Sequence, residues 1–305
     1  MSRIYIRLNA LAGPAAARAP QLERVLARAD RCDALADWRD QAFQCVAVPG
    51  TDRPGIGAAA LCAELGPITG AAVLVASPVH CEAGMVSVRL PVDGLIQLEL
   101  DGAARLVQEF NRDFADGAQR LVAAPSGRLF CVLAASTTAI TRDPLAVCGR
   151  DIGPSLPAGP DGARLRRLMS EIEMWLHELA LNRARVAQGS VSITGLWLWG
   201  GGAPLATLPQ LAGWTAGSDV LFSAWPAAAG FLRQPRSAVI VLDAEPGSGA
   251  WRAVQQAWLA PALKALRTGL IRQLDFGIGE QTLALRAGWS LRFWRRARPW
   301  WEYLQ

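Results

Sequence analysis

The sequence predicts an α/β fold in which a layered mixed sheet is flanked by helices. Three observations predict it. Two short, wholly apolar runs, residues 71–76 and 238–242, have the length and composition of buried strands. Between strand-like runs lie segments with apolar residues at helical spacing. The clearest covers residues 161–187, where Leu165, Leu168, Met169, Ile172, Leu176 and Leu179 form one stripe. Strands and helices then alternate through the second half of the chain, the pattern that builds a layered α/β sheet.

Residues 4–11 read as a first strand and residues 21–29 as a helix with Leu22, Val25 and Leu26 on one face. Residues 43–48 read as a strand and residues 56–65 as a helix. Residues 86–90 and 95–100 suggest a hairpin closed by Asp93-Gly94. Asp101 is placed to cap a helix over 102–114, whose apolar positions are Leu106, Val107 and Phe110. Residues 119–123 and 128–134 form a strand pair turning at Pro125-Ser126-Gly127.

Residues 151–160 hold Gly153, Pro154, Pro157, Gly159 and Pro160, which predicts a linker between a lobe at 1–150 and a lobe at 161–305. The long helix at 161–187 stops near Gly189. A strand over 191–199 follows, ended by Gly200-Gly201-Gly202. Further on, helices are expected near 205–211, 226–232 and 250–266, and strands at 219–223, 238–242, 270–278 and 282–294.

Composition narrows the function classes. Of 305 residues, 51% are apolar and 19% charged, enough for a sizeable core and against large-scale disorder. The net charge of +5 is spread over dispersed arginines, with one cluster at the C-terminus. That balance permits binding to phosphate or nucleic acid and requires neither; nucleic acid is not the expected partner. The six cysteines contain no C-x-x-C pair, so they are expected to be small core residues in a reducing compartment. Arg3 and Arg7 interrupt the N-terminal stretch, which argues against a signal peptide. No run reaches the roughly 18 apolar residues of a membrane span, so the cytoplasm is the expected location.

Five features are candidates for chemistry. In Trp197-Leu198-Trp199-Gly200-Gly201-Gly202, three glycines let the backbone pass close to a neighbour. The neighbour is either a phosphate held by amides or the protein's own core. The segment has neither the lysine of a phosphate-binding loop nor the spacing of a dinucleotide fingerprint. His177 lies one helical turn from Glu173 and precedes Glu178, but Leu181 stands where a zinc helix needs its second histidine. His80 follows Ser77-Pro78-Val79 at the end of a buried strand, next to Cys81. Asp243 directly follows the 238–242 strand, where α/β sheets place ligands, and also opens a turn with Glu245, Pro246 and Gly247. The segment from Arg292 to Trp301 interleaves arginine with aromatics, suited to packing on the body or to stacking and interfacial contact. With two histidines in the chain, His-dependent metal chemistry is limited and no cofactor is expected.

Several of these stretches together resemble the RpfE-type regulatory protein family, a distant relative of the cofactor-independent phosphoglycerate mutases. The matching segments are Ala76-Ser77-Pro78-Val79-His80, residues 149–160, the helix from Met169 to His177-Glu178, the Trp197 to Gly202 motif and Phe293-Trp294-Arg295-Arg296. The resemblance implies an alkaline-phosphatase-like core in degenerate form. Mutases of that kind use two metal ions held by several Asp and His residues, with a Ser or Thr nucleophile. This sequence has no Asp-Gly pair on its first strand and no D-x-x-x-H cluster near Asp243. It also carries His177-Glu178-Leu179-Ala180-Leu181-Asn182 where the family has His-Glu-x-Pro-Val-Asn.

The resemblance therefore implies a regulatory protein without a metal site, which binds a phosphorylated metabolite or a protein partner. The ligand-binding candidates are Trp199, Gly200, Gly201, Gly202, Asn182 and Arg183. Two alternatives stand beside it. One is an active phosphomutase or phosphatase using His177, His80 or Asp243 at an unconventional metal site. The other is an interaction module acting through the Arg/Trp segment.

Overall fold

The computed structural model describes residues 2–9, 17–32, 37–114, 117–225 and 237–304. The chain is an α/β protein with mixed and antiparallel sheets and flanking helices. It forms two compact units, one from residues 1–53 and 209–305 and the other from residues 54–208. The division therefore does not fall at the Pro/Gly-rich stretch 151–160, which lies inside the second unit. Its prolines and glycines shape a 3-10 turn at Gly153–Ser155 and short bridges to neighbouring segments instead of freeing a linker.

The first unit is built on a six-stranded sheet in the order Trp214–Ala216, Ala238–Leu242, Arg3–Leu8, Gln273–Ile278, Gln281–Arg286, Asp30–Cys32. The first four run parallel, and the last two join antiparallel. Arg3–Leu8 sits in the middle, with Ile6 opposite Ile240 on one side and Phe276 on the other. Its period of two sends Ile4, Ile6 and Leu8 into a core with Leu22, Val25, Leu263 and Leu266. Tyr5 instead stacks on Trp38 of the Trp38–Val46 helix.

That helix corrects the strand expected at 43–48. Ala42, Phe43, Cys45 and Val46 are its buried apolar residues, a spacing that a short apolar run shares with a strand. Asp37 decides the outcome by accepting from the Arg39 amide as N-cap. The expected helix at 205–211 and strand at 219–223 do not form. Trp214–Ala216 is the edge strand, and Asp219 accepts from the Leu221 and Phe222 amides just ahead of a 3-10 turn at Phe222–Ala224. The 250–266 helix is present as Trp251–Val254, a widened Gln255–Leu259 turn and Ala260–Arg267. Pro261 lacks the amide that a regular helical bond needs there, which accounts for the widening. The closing strands end at Arg286, short of the predicted 294. The helix expected at 226–232 lies outside the described residues.

The second unit has an antiparallel sheet in the order Gln119–Ala123, Leu129–Leu133, Ala72–Val79, Gly195–Gly202. Its core joins Leu74, Ala76, Cys131 and Leu198 to Leu106 and Phe110 of Leu100–Asp113, and to Leu165, Ile172 and Leu176 of Gly162–Glu178. Glu99 rather than Asp101 occupies the N-cap of the Leu100–Asp113 helix. The hairpin expected at Asp93-Gly94 is absent. Val88–Leu90 pairs with Glu82–Ala83 and Arg150–Asp151, while the Ile96 amide bonds to the Pro78 carbonyl. The 161–187 helix is broken at Leu179, whose extended backbone separates Gly162–Glu178 from Ala180–Ala187.

Candidate functional site

In the first unit, the parallel strands all end on one edge, and polar residues gather there. Asn9 follows the Arg3–Leu8 strand and Asp243 follows Ala238–Leu242. The Asn9 side-chain amide donates to Asp243 Oδ1 at 3.2 Å. Arg7 donates to the Asn9 side-chain oxygen at 3.3 Å and to the Gly279 carbonyl at 2.7 Å. The guanidinium groups of Arg7 and Arg39 lie over the Trp38 ring, 4.9 and 4.6 Å from its centre.

Beside them is a buried ion pair. Arg39 donates through Nε at 3.0 Å and Nη2 at 2.6 Å to Asp219 Oδ2. Asp219 Oδ1 accepts from the Leu221 and Phe222 amides at 3.0 and 3.2 Å. The Asp243 carboxyl is pushed above its ordinary value, chiefly by desolvation, with the Asp219 charge adding and the Asn9 bond opposing.

This donor set does not fit the two metal ions of a phosphomutase. Both Asp219 oxygens are committed to protein donors, and Asp243 has an amide neighbour where a second carboxylate would be needed. Among the described residues, no three His, Cys, Asp or Glu side chains are grouped to hold an ion. The remaining residues contain two such groups, Asp33 and Asp116.

In the second unit, the Trp197 to Gly202 motif lies wholly inside a strand, so Gly200-Gly201-Gly202 do not form the strand-ending loop. The close neighbour that the glycines admit is the start of the Ile56–Leu65 helix. A Cβ on Gly202 would stand 2.5 Å from the Gly55 Cα, and one on Gly200 would stand 2.8 Å from the Ile56 Cβ. Gly200 also takes a positive φ of 67°. Trp197 and Trp199 are buried, with their indole N–H groups on the Arg142 carbonyl and the Ser77 hydroxyl. Asn182 is likewise spent on structure. Its amide donates to the carbonyls of Leu176 at 2.7 Å and Ile193 at 2.8 Å, and its oxygen accepts from the Ile193 amide. The first of these bonds satisfies a helix-end carbonyl just before the break at Leu179.

Three sequence candidates do come together. His177, Arg183 and Asn182 line one cleft of about 550 Å³ with Glu173, Val186, Ser192 and Thr194. His177, Arg183 and Glu173 are exposed on it. His80 stands behind its wall, with Nδ1–H donating to the Ser192 carbonyl at 2.8 Å. Cys81 is not an activated nucleophile. Burial pushes its thiol up, and its amide bonds Thr194 Oγ1. Asp243 belongs to the other unit's sheet edge.

Sequence reasoning missed Arg7, Asn9, Trp38, Arg39 and Asp219. The one available signal was Asn9, the first polar residue after an apolar strand, placed as Asp243 is.

The fold and site thus define an α/β protein with a polar edge on a parallel sheet and a separate cleft beside an antiparallel one. The chain is similar in structure to the cofactor-independent phosphoglycerate mutase of Thermoplasma acidophilum, at 15% identity and a TM-score of 0.38, over 94% of this chain and 90% of that one. It is also similar to the PH0037 protein of Pyrococcus horikoshii, at 11% identity and a TM-score of 0.41, over 94% of this chain and 88% of that one. No family model and no curated protein matches the sequence.

Proposed function

We propose that this chain is a metal-independent, phosphoglycerate-mutase-related protein of the RpfE type, with an alkaline-phosphatase-like core in degenerate form. On this reading it is a cytoplasmic, regulatory pseudoenzyme that binds a phosphorylated metabolite. The observation that carries the reading is Asp219. A strand-edge carboxylate that would serve a metal is instead neutralised by Arg39 and held by two amides.

The ligand's place is the cleft between His177 and Arg183. The Arg183 guanidinium offers a planar fork for a phosphate, and His177 a second donor. Glu173 accepts from a hydroxyl on the same ligand, which selects a phosphorylated hydroxy compound over bare phosphate. Val186 and Ala187 supply an apolar wall. His80 positions Ser192 and does not touch the ligand.

The test is a calorimetric titration of the full chain with phosphorylated metabolites, 3-phosphoglycerate among them, with and without manganese. Binding is expected without the metal. Arg183→Ala is expected to weaken it about tenfold to a hundredfold, the worth of a charged hydrogen-bonding group. Binding that needs manganese, or that ignores Arg183→Ala, overturns the reading. Affinity for a protein and for no metabolite assigns the regulatory role to a protein partner instead.

A further inference from the structure

The C-terminal arginine–aromatic segment belongs to the first unit and takes no part in the cleft just described. The Arg295 amide donates to the Arg292 carbonyl at 3.2 Å and closes a turn. Its two central residues are Phe293 and Trp294, where turns ordinarily carry Gly, Asn, Asp, Pro or Ser. Phe293 is 75% exposed and Trp294 67%, and neighbouring Leu291 is 69% exposed. Three adjacent apolar side chains thus project into solvent.

The turn is fixed at both shoulders. Arg292 donates to Asp30 Oδ1 at 2.6 Å and to the Arg28 carbonyl at 3.2 Å. Arg295 donates to the Ala29 carbonyl at 2.8 Å and to Asp30 Oδ1 at 3.2 Å. Further along, Trp300 is fully buried and its indole N–H bonds the Ala17 carbonyl. The segment is therefore a rigid mount for an exposed apolar tip, not a packed strand.

Beside the tip is a cleft of about 700 Å³ with Arg31, Arg295, Arg296, Arg298 and Tyr303 on its walls and, among the described residues, one carboxylate, Glu302. Arg295 is engaged with Asp30, whereas Arg31, Arg296 and Arg298 have no carboxylate partner among the described residues. Unpaired guanidinium groups around one opening attract phosphate.

We propose that the Phe293-Trp294 turn and the arginine-lined cleft dock this chain onto an anionic phospholipid surface. The aromatic tip enters the interface, and Arg31, Arg296 and Arg298 take the lipid phosphates. Apolar residues at a tip with cations on its shoulders match the layering of a bilayer interface. Stacking on nucleic acid fits less well. The two rings meet edge to face, 5.7 Å apart at 79°, and present no parallel pair of faces for successive bases. Such docking needs no spanning segment, and no helix among the described residues is long and apolar enough to cross a membrane.

Flotation of the full chain with vesicles tests this. One set is phosphatidylcholine alone, and in the other part of it is replaced by phosphatidylglycerol. Binding is expected only to the second set and weakens with salt. Arg296→Gln with Arg298→Gln is expected to weaken it about 30-fold, at roughly fivefold per arginine. Phe293→Ser with Trp294→Ser is expected to cost about tenfold or more. All four side chains are exposed, so unchanged melting curves verify that these variants fold. The proposal is overturned if the chain ignores anionic vesicles, or if the aromatic variant binds like the wild type. It is also overturned if glycerol phosphate shifts the melting curve while vesicles go unbound, or if a single-stranded oligonucleotide binds in their place.

Discussion

The two units contain the same kind of sequence signal and use it differently. Each has an apolar strand followed by residues that suggest a ligand site: Asp243 after Ala238–Leu242, and Gly200 to Gly202 after Leu196 to Trp199. In the first unit the neighbouring strands are parallel, so their ends meet at one edge and bring Asn9 beside Asp243. In the second the one neighbouring strand, Ala72–Val79, is antiparallel, and Gly202 pairs with Val73 near its start. The glycines there meet a helix start, not an open edge. The direction of the neighbouring strands decides whether a strand-end motif is available to a ligand.

Breaking the Arg39–Asp219 pair is the largest test of that contrast. Arg39→Leu leaves a buried, uncompensated carboxylate and is expected to cost about 3–5 kcal/mol in urea unfolding. Adding Asp219→Asn, which keeps an acceptor for the Leu221 and Phe222 amides, is expected to recover much of the loss. If the single variant is neutral, Asp219 is not committed to structure and is free for chemistry.

Gly202→Ala comes next. Its Cβ would meet the Gly55 backbone, so a loss of about 2–3 kcal/mol is expected by the same measurement. A neutral result would reopen Gly200 to Gly202 as a ligand cradle. Asp243→Asn acts in the opposite sense. Because the folded-state pKa of Asp243 is raised, its ionised form costs stability above that pKa, and the cost disappears as pH falls below the unfolded value. Asp243→Asn is expected to stabilise the protein slightly at neutral pH and not in acid. The smallest effects belong to the exposed cleft: His177→Ala and Arg183→Ala are expected to leave stability within about 0.5 kcal/mol while altering ligand binding.

Much of the fold was legible because periodicity reports which face of an element is buried. The strands at Arg3–Leu8, Ala72–Val79 and Ala238–Leu242 and the helix at Ile56–Leu65 follow from their apolar patterns. Residues 43–48 did not, because a short apolar run fits both periods and Asp37, outside the run, settles it. The break at Leu179 depends on Asn182 reaching Ile193, a contact no local pattern encodes. The site divided in the same way. His177 was visible as a polar position beside a helical stripe, Arg183 was a candidate only through the family resemblance, and the two share a cleft. Arg39 and Asp219 are 180 positions apart, and only the parallel sheet brings them together.

The central proposal is that the carboxylates of this sheet edge do not serve metal chemistry. The most direct test is turnover of 3-phosphoglycerate by the purified chain with saturating manganese, with Asp243→Ala and Asp219→Asn run in parallel. The prediction is no manganese-dependent turnover in any of the three. Manganese-dependent conversion by the wild type that either variant abolishes would contradict it.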